Sequence, residues 1–307
     1  MPEINEIRHY ADFIKSNLKN KKILEINILK GRYKTHGPFE KYNAIKKDLP
    51  LKLLDVKTKG KFLYLVFENN FYMFSTLGLY GGWSYLKKGS NKYKFSRTEV
   101  DWLDYLGLEK PEMSSYIKNA LNHLNVEFRT SQGSLYYYDQ LSFGSLKVID
   151  NEDELNKKLK LIGPDIMEHD TTLEVFKEQL LKTRNLNKEI GIIIMNQKVI
   201  SGIGNYLRAD ILYISKISPF RKVNKLTDKE IEVIFKNSKI LTWGDYDIKM
   251  AKKLKIVSKE TKFPSDYDRM FFVYNCDTDI HGHKIIKKEL FEGSQKRFIY
   301  YVPEIQK

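Results

Sequence analysis

The chain has 307 residues, 42% of them hydrophobic, with 53 Lys and Arg against 39 Asp and Glu. Its net charge is +14 and its isoelectric point is near 9.4. That length predicts two domains with real interiors. No apolar run reaches the ~18 residues of a membrane span, and no signal-type segment opens the chain. The single cysteine, Cys276, excludes an internal disulfide and a zinc site of several cysteines, which fits a reducing compartment inside the cell. The charge makes polyanions the natural partners; a solvated lysine-rich surface is the alternative reading.

In chain order, Ile4, Ile7, Ala11, Ile14 and Leu18 recur at helical spacing and predict an amphipathic helix over 3–18, with Pro2 at its mouth. The stretch 22–150 is β-rich. Lys61 to Phe67 and Phe71 to Ser75 flank Glu68-Asn69-Asn70, a hairpin turn, and 126–130 and 134–138 flank Ser131-Gln132-Gly133 in the same way. After Asp150 the sequence turns helical. Residues 151–155 and 171–175 look like helix starts, Gly163-Pro164-Asp165 interrupts them, and 151–170 is expected to be the interdomain linker. Helices are predicted through about 240, then a two-stranded element at about 272–302 inside a terminal stretch 270–307. Lys249, Lys252, Lys253, Lys255, Lys259 and Lys262 form the densest basic stretch, suited to phosphates. There is no internal repeat or low-complexity tract.

Two segments carry chemistry. Removal of Met1, expected before a small second residue, leaves Pro2 with a free secondary amine, which can form an iminium with a sugar carbon. The helix macrodipole beside it favours the unprotonated amine, and Glu3 can move protons. Proline followed by an acid is also ordinary helix-start sequence, so this segment leaves both readings open. The second segment is Val199 to Tyr213. Its Gly202-Ile203-Gly204 makes a tight turn whose backbone N–H groups, at a helix N-terminus, can hold a phosphate, and Asn205 adds a side-chain donor. Glycines between helices more often simply turn the chain.

Taken whole, Val199 to Tyr213 resembles the helix–two-turn–helix motif of the formamidopyrimidine-DNA glycosylase and endonuclease VIII family, closest to the endonuclease VIII-like branch. Met1-Pro-Glu-Ile-Asn-Glu6 is similar to the family's Met-Pro-Glu-Gly-Pro-Glu start. Lys59-Gly-Lys-Phe-Leu63 resembles the segment that carries its β-strand lysine. Asp139-Gln-Leu-Ser-Phe-Gly144 resembles its Asp-x-Arg-Arg-Phe-Gly loop, and Gly163-Pro-Asp165 its interdomain turn. The resemblance spans nearly the whole chain.

It implies an α+β fold: an N-terminal helix on a two-layer antiparallel β-sandwich (1–150), then a helical helix–two-turn–helix domain (171–307), with DNA in the cleft between them. It implies Pro2 as Schiff-base nucleophile, Glu3 as proton-transfer residue and Glu6 in the damaged-base pocket. Lys61 would act at phosphate or sugar, with an ordinary strand-edge lysine as the alternative. Asn205, with Gly202 and Gly204, would hold phosphates flanking a flipped nucleotide. Leu79, in Thr76-Leu-Gly-Leu79, stands where the family has methionine and Leu141 where it has arginine. Phe143 remains, and these three would fill the vacated stack unless Leu79 and Phe143 serve the core.

The family's closing zinc cysteines are replaced by Val302 and Ile305, so the resemblance implies a zincless finger with Arg297 reaching DNA and no metal. Cys276, His281 and His283 could join in a metal cluster, but a fourth ligand is not evident and His281-Gly282-His283 also fits a turn. The implied activity is a bifunctional DNA glycosylase and abasic-site lyase of base excision repair. It would act on oxidised bases, pyrimidines favoured, by β,δ-elimination, with no cofactor. Its partner would be damaged DNA, double-stranded or single-stranded, wherever DNA is kept, and a monomer is the default state. Two alternatives stay open: an inactive DNA-binding member of this fold, and an RNA-binding or structural nucleic-acid protein.

Overall fold

The structure, a computed structural model, describes residues 2–96, 99–101, 115–253, 271–292 and 295–307. It divides into two compact units: residues 1–2 with 6–159, and residues 3–5 with 160–307.

Helix α1 (Ile4–Leu18) belongs to the first unit from Glu6 onward, and its Ile7, Ala11, Ile14 and Leu18 are buried as their spacing predicts. Strands β1 (Lys22–Ile23) and β2 (Glu25–Ile28) follow, then short helices α2 (Arg32–Thr35) and α3 (Tyr42–Lys47). Next come β3 (Leu51–Lys59), β4 (Phe62–Phe67), β5 (Tyr72–Thr76), β6 (Gly81–Lys87), β7 (Lys92–Phe95) and β8 (Glu99–Asp101). Helix α4 (Ser115–Asn122), β9 (Leu124–Thr130), β10 (Gly133–Asp139), β11 (Ser145–Ile149) and helix α5 (Glu152–Lys160) complete the unit.

One sheet has the order β1-β3-β4-β5-β11 and the other β2-β9-β10-β6-β7-β8, with antiparallel pairings throughout. Ile23, Leu53, Leu65 and Met73 from the first sheet meet Trp83, Phe128, Leu135 and Tyr137 from the second in one core, which α1 also enters. This is the expected two-layer sandwich. The β4–β5 hairpin turns through Asn69 and Asn70, both in the left-handed region that asparagine tolerates.

One expectation about this unit is corrected. Lys61 is not in a strand: it lies with Gly60, φ +55, in the turn between β3 and β4. The helix start expected at 151–155 is present as α5, which gathers acidic residues in its first turn and buries Leu155. Its Lys158 lies 5.6 Å from the Phe62 ring, and Lys59 Nζ donates to Leu159 O at 2.9 Å.

The second unit contains helices α6 (Leu173–Leu180), α7 (Ile190–Ile193), α8 (Asn205–Ile214) and α9 (Asp228–Lys253), then the hairpin β12 (Ile286–Glu292) and β13 (Gln295–Tyr301). Its core joins Ile4, Phe176, Ile190, Ile203, Leu207, Ile211, Ile234, Trp243, Leu290, Ile299 and Val302. Helix α9 runs past the expected end near 240 because its buried Trp243 anchors it, Nε1 donating to Met167 O at 3.0 Å. Of the basic stretch, Lys249, Lys252 and Lys253 fall on α9. Lys255, Lys259 and Lys262 lie outside the described residues. Among the described residues, no helix is long and apolar enough to cross a membrane.

Candidate active site

Gly204 is the N-cap residue of α8 and brings no side chain to the helix's exposed N–H groups. Glu3, 201 residues earlier in the chain, supplies it. The buried carboxylate accepts from Gly204 N at 2.7 Å and Leu207 N at 3.3 Å on Oε2, and from Tyr206 N at 2.9 Å on Oε1. Three charge-assisted bonds at the positive end of a helix hold this side chain in one place. Ile4 is buried in the second unit's core, and the buried Asn5 Oδ1 accepts from Tyr206 Oη at 2.9 Å. Pro2 directly precedes this tethered tripeptide and is half-buried, as is Glu6 in the first turn of α1.

The glycines of this turn act differently from expectation. Their N–H groups are not open to a phosphate: Gly202 N donates to Gln197 Oε1 at 2.9 Å and Gly204 N to Glu3. Instead, each glycine makes room. A Cβ at Gly204 would collide with the Glu3 carboxyl, and one at Gly202, where φ is +112, with Ile4 Cδ1. Gln197 finishes the turn, its Nε2 donating to Met195 O and Ile203 O at 2.7 Å each.

Asn205 heads α8, and its Oδ1 accepts from Arg208. Because guanidinium only donates, the amide must turn its oxygen toward Arg208. Arg208 is fully buried and also donates to Gly191 O and Phe298 O, at 3.0 Å each. It therefore ties Asn205 to strand β13 beside Arg297, which is exposed and pairs with Leu290. Sequence reading passed over Arg208; a lone arginine inside an apolar helix was the available signal.

The expected stack-filling residues occupy two adjoining loops of the first unit. Leu79 is 41% exposed, Leu141 41% and Phe143 70%, so none of them serves the core. Tyr80, not singled out from the sequence, joins them at 45%. The loops interlock: a Cβ on Gly78, φ +58, would lie 2.6 Å from Gly144 N and 2.9 Å from Phe143 Cβ. Arg32 braces the second loop, Nη1 donating to Ser142 O at 3.3 Å and Gly144 O at 3.0 Å. Asp139 Oδ2 accepts from Gly144 N at 2.8 Å. Burial pushes the Asp139 carboxyl up, against the loop's N–H groups and Arg32.

At the C-terminal end, Val302 is fully buried and Ile305 packs against the same core. Two buried aspartates do the rest. Asp210 of α8 accepts from Phe272 N (3.1 Å), Val273 N (2.9 Å) and Tyr274 N (3.3 Å), and burial pushes its pKa up to about 6. Asp279 accepts from His281 N, His283 N and Tyr213 Oη, and lies 3.0 Å from His283 Nδ1. Burial raises the Asp279 carboxyl, but these donors outweigh it and hold it below the usual aspartate value. The suggested Cys276, His281 and His283 cluster does not form; His281 and His283 turn about Asp279 instead. Among the described residues, no three His, Cys, Asp or Glu gather as metal ligands.

Two family models match the chain: the formamidopyrimidine-DNA glycosylase N-terminal domain over residues 1–146 and the formamidopyrimidine-DNA glycosylase H2TH domain over 162–243. The chain is 28% identical over 240 residues to the formamidopyrimidine-DNA glycosylase of Mycoplasma genitalium, covering 78% of this chain and 72% of that one. It is 24% identical over 236 residues to an endonuclease 8 of Enterobacter sp., covering 76% and 75%. Among solved structures it resembles the Lactococcus lactis formamidopyrimidine-DNA glycosylase bound non-covalently to abasic-site DNA, with a TM-score of 0.71, 18% identity and 99% of both chains covered. A MutM complex with DNA containing carbocyclic 8-oxo-G gives a TM-score of 0.69 at 21% identity over 100% of both chains. With both its N-terminal domain and its H2TH domain matched, the chain belongs to the formamidopyrimidine-DNA glycosylase/endonuclease VIII family.

Proposed function

We propose that this protein is a DNA glycosylase and abasic-site lyase of base excision repair, with the Pro2 amine as nucleophile once Met1 is removed. The observation that carries the reading is the anchoring of Glu3 by three N–H groups at the head of α8, one peptide bond from Pro2. The nitrogen lone pair attacks C1′ of the damaged nucleoside, the glycosidic bond breaks, and the base leaves with a proton. Sugar ring opening gives the iminium. Loss of a C2′ proton then expels the 3′-phosphate, and a second elimination expels the 5′-phosphate. Glu3 serves these proton movements, and Lys61 stands at phosphate or sugar.

Asn205 and Arg297 hold the backbone around a flipped nucleotide. Leu79, Tyr80, Leu141 and Phe143 fill the gap it leaves, and Glu6 faces the extruded base. Oxidised pyrimidines and ring-opened purines are the preferred lesions. An apolar Leu141 cannot hydrogen-bond the orphaned base, so discrimination of the opposite base is weak.

The test is borohydride trapping on a duplex with one abasic site, in EDTA. Borohydride reduces an iminium to a stable amine, so wild type is expected to give a covalent protein–DNA band that Pro2→Thr and a Met1-retaining form lack. Binding without any trapped band would overturn the enzyme reading and leave a DNA-binding member of the family. Equal affinity for RNA and for lesion duplex would favour a general nucleic-acid binder.

A further inference from the structure

The family-like start departs from Met-Pro-Glu-Gly-Pro-Glu at Ile4 and Asn5, and the structure gives both departures a partner. Ile4 is buried in the second unit's core against Gly202, while Asn5, also fully buried, accepts a hydrogen bond from Tyr206 Oη. The same Tyr206 donates its backbone N–H to Glu3 Oε1. One residue of α8 therefore grips both ends of the tripeptide 3–5, by its backbone at Glu3 and by its side chain at Asn5. Its ring is itself steadied, 5.0 Å from Phe271 and 6.3 Å from Tyr274 between centroids.

We propose that the Asn5–Tyr206 hydrogen bond is a positioning device for the N-terminal nucleophile, with Asn5 and Tyr206 as positioning residues. The inference rests on the reading of Pro2 and Glu3 given above. The physical reason is reach. Adjacent Cα atoms stand ~3.8 Å apart across a trans peptide, so once Glu3, Ile4 and Asn5 are pinned, little beyond the torsions next to Glu3 decides where the Pro2 nitrogen points. Glycine and proline at these two positions bring no side-chain acceptor; in this chain the acceptor comes from Asn5. Misplacing a reacting group by ~1 Å can cost on the order of a hundredfold in rate, whereas DNA affinity, spread over many phosphate contacts, barely senses it.

The decisive variant is the double substitution Asn5→Leu with Tyr206→Phe. It removes both partners of this bond together, so neither the hydroxyl nor the amide oxygen is left facing the place of the other, and it should fold even where a single substitution does not. Three quantities are measured on wild type, both single variants and the double: thermal melting, affinity for duplex carrying an abasic-site analogue, and the single-turnover rate of borohydride trapping across pH. The expected result is wild-type melting for the double variant, affinity within about twofold, and trapping slowed about tenfold or more. The singles should slow trapping by similar factors that do not multiply.

Trapping at the wild-type rate in the double variant would overturn the inference, as would a slower rate matched by equal loss of affinity. Loss of melting transition and trapping together across all variants would assign the bond to stability and overturn it too. If wild type itself forms no Pro2 adduct, the function proposed above fails and this inference with it. That outcome is distinct from normal trapping that the variants leave untouched.

Discussion

Gly204 and Gly202 are the residues where a single atom matters most. A methyl group at Gly204 enters the space of the Glu3 carboxyl, and at Gly202 it adds to that crowding the strain of φ +112. Gly204→Ala is expected to cost about 1–3 kcal/mol in urea unfolding and to reduce trapping at Pro2 at least tenfold. Asp210 supplies a pH signature. Its pKa is about 6 in the fold against an ordinary 3.8, so between those values the folded chain holds a proton that the unfolded chain has lost. Stability from this group therefore falls as pH rises through that window, by up to about 3 kcal/mol, and is level above it. Urea midpoints from pH 4 to 7 should show this slope in wild type and a flatter one in Asp210→Asn.

At the scale of elements, the two interlocked loops and the C-terminal hairpin make opposite predictions. Phe143 is 70% exposed, so Phe143→Ala should change stability by less than about 0.5 kcal/mol. The same variant should slow excision from duplex, because an extruded base leaves a gap that an apolar side chain fills. A melting point that drops with activity would assign Phe143 to the fold instead. The hairpin region, held by Val302 and by the donors gathered on Asp279, should keep its melting point after dialysis against EDTA. Asp279→Ala should lose about 2–4 kcal/mol, since it removes the acceptor of the Tyr213 hydroxyl and of two N–H groups. Because the Asp279 carboxyl is held below its ordinary 3.8, its contribution is present above that pH and is lost on acidification.

For the whole molecule, a net charge of +14 predicts binding dominated by counterion release. If about six phosphates are neutralised, affinity for duplex should fall roughly a thousandfold between ~50 and ~200 mM salt. A fluorescence-anisotropy titration measures the slope, and a flat profile would locate the positive charge away from the interface. Arg208→Met should lessen that slope although Arg208 is fully buried, because Asn205 and the strand carrying Arg297 both lean on it.

Local periodicity in the sequence determined the long first helix and the β-rich character of 22–150, which need no distant partner to be read. The two-layer sandwich, the helix–two-turn–helix segment and the apolar replacement at Val302 were legible through contiguous motifs that resemble those of the family. The tertiary structure decided the rest. Only folding brings Glu3 to a helix 201 residues away, so a turn whose glycines suggested a phosphate cradle proves to hold the N-terminal segment instead. The extra length of α9, the bracing by Arg32 and Arg208, and the hubs at Asp210 and Asp279 were likewise beyond one-dimensional reading. A buried polar side chain is defined by the partners that satisfy it, and for Glu3 and Asp210 those partners lie far off in sequence.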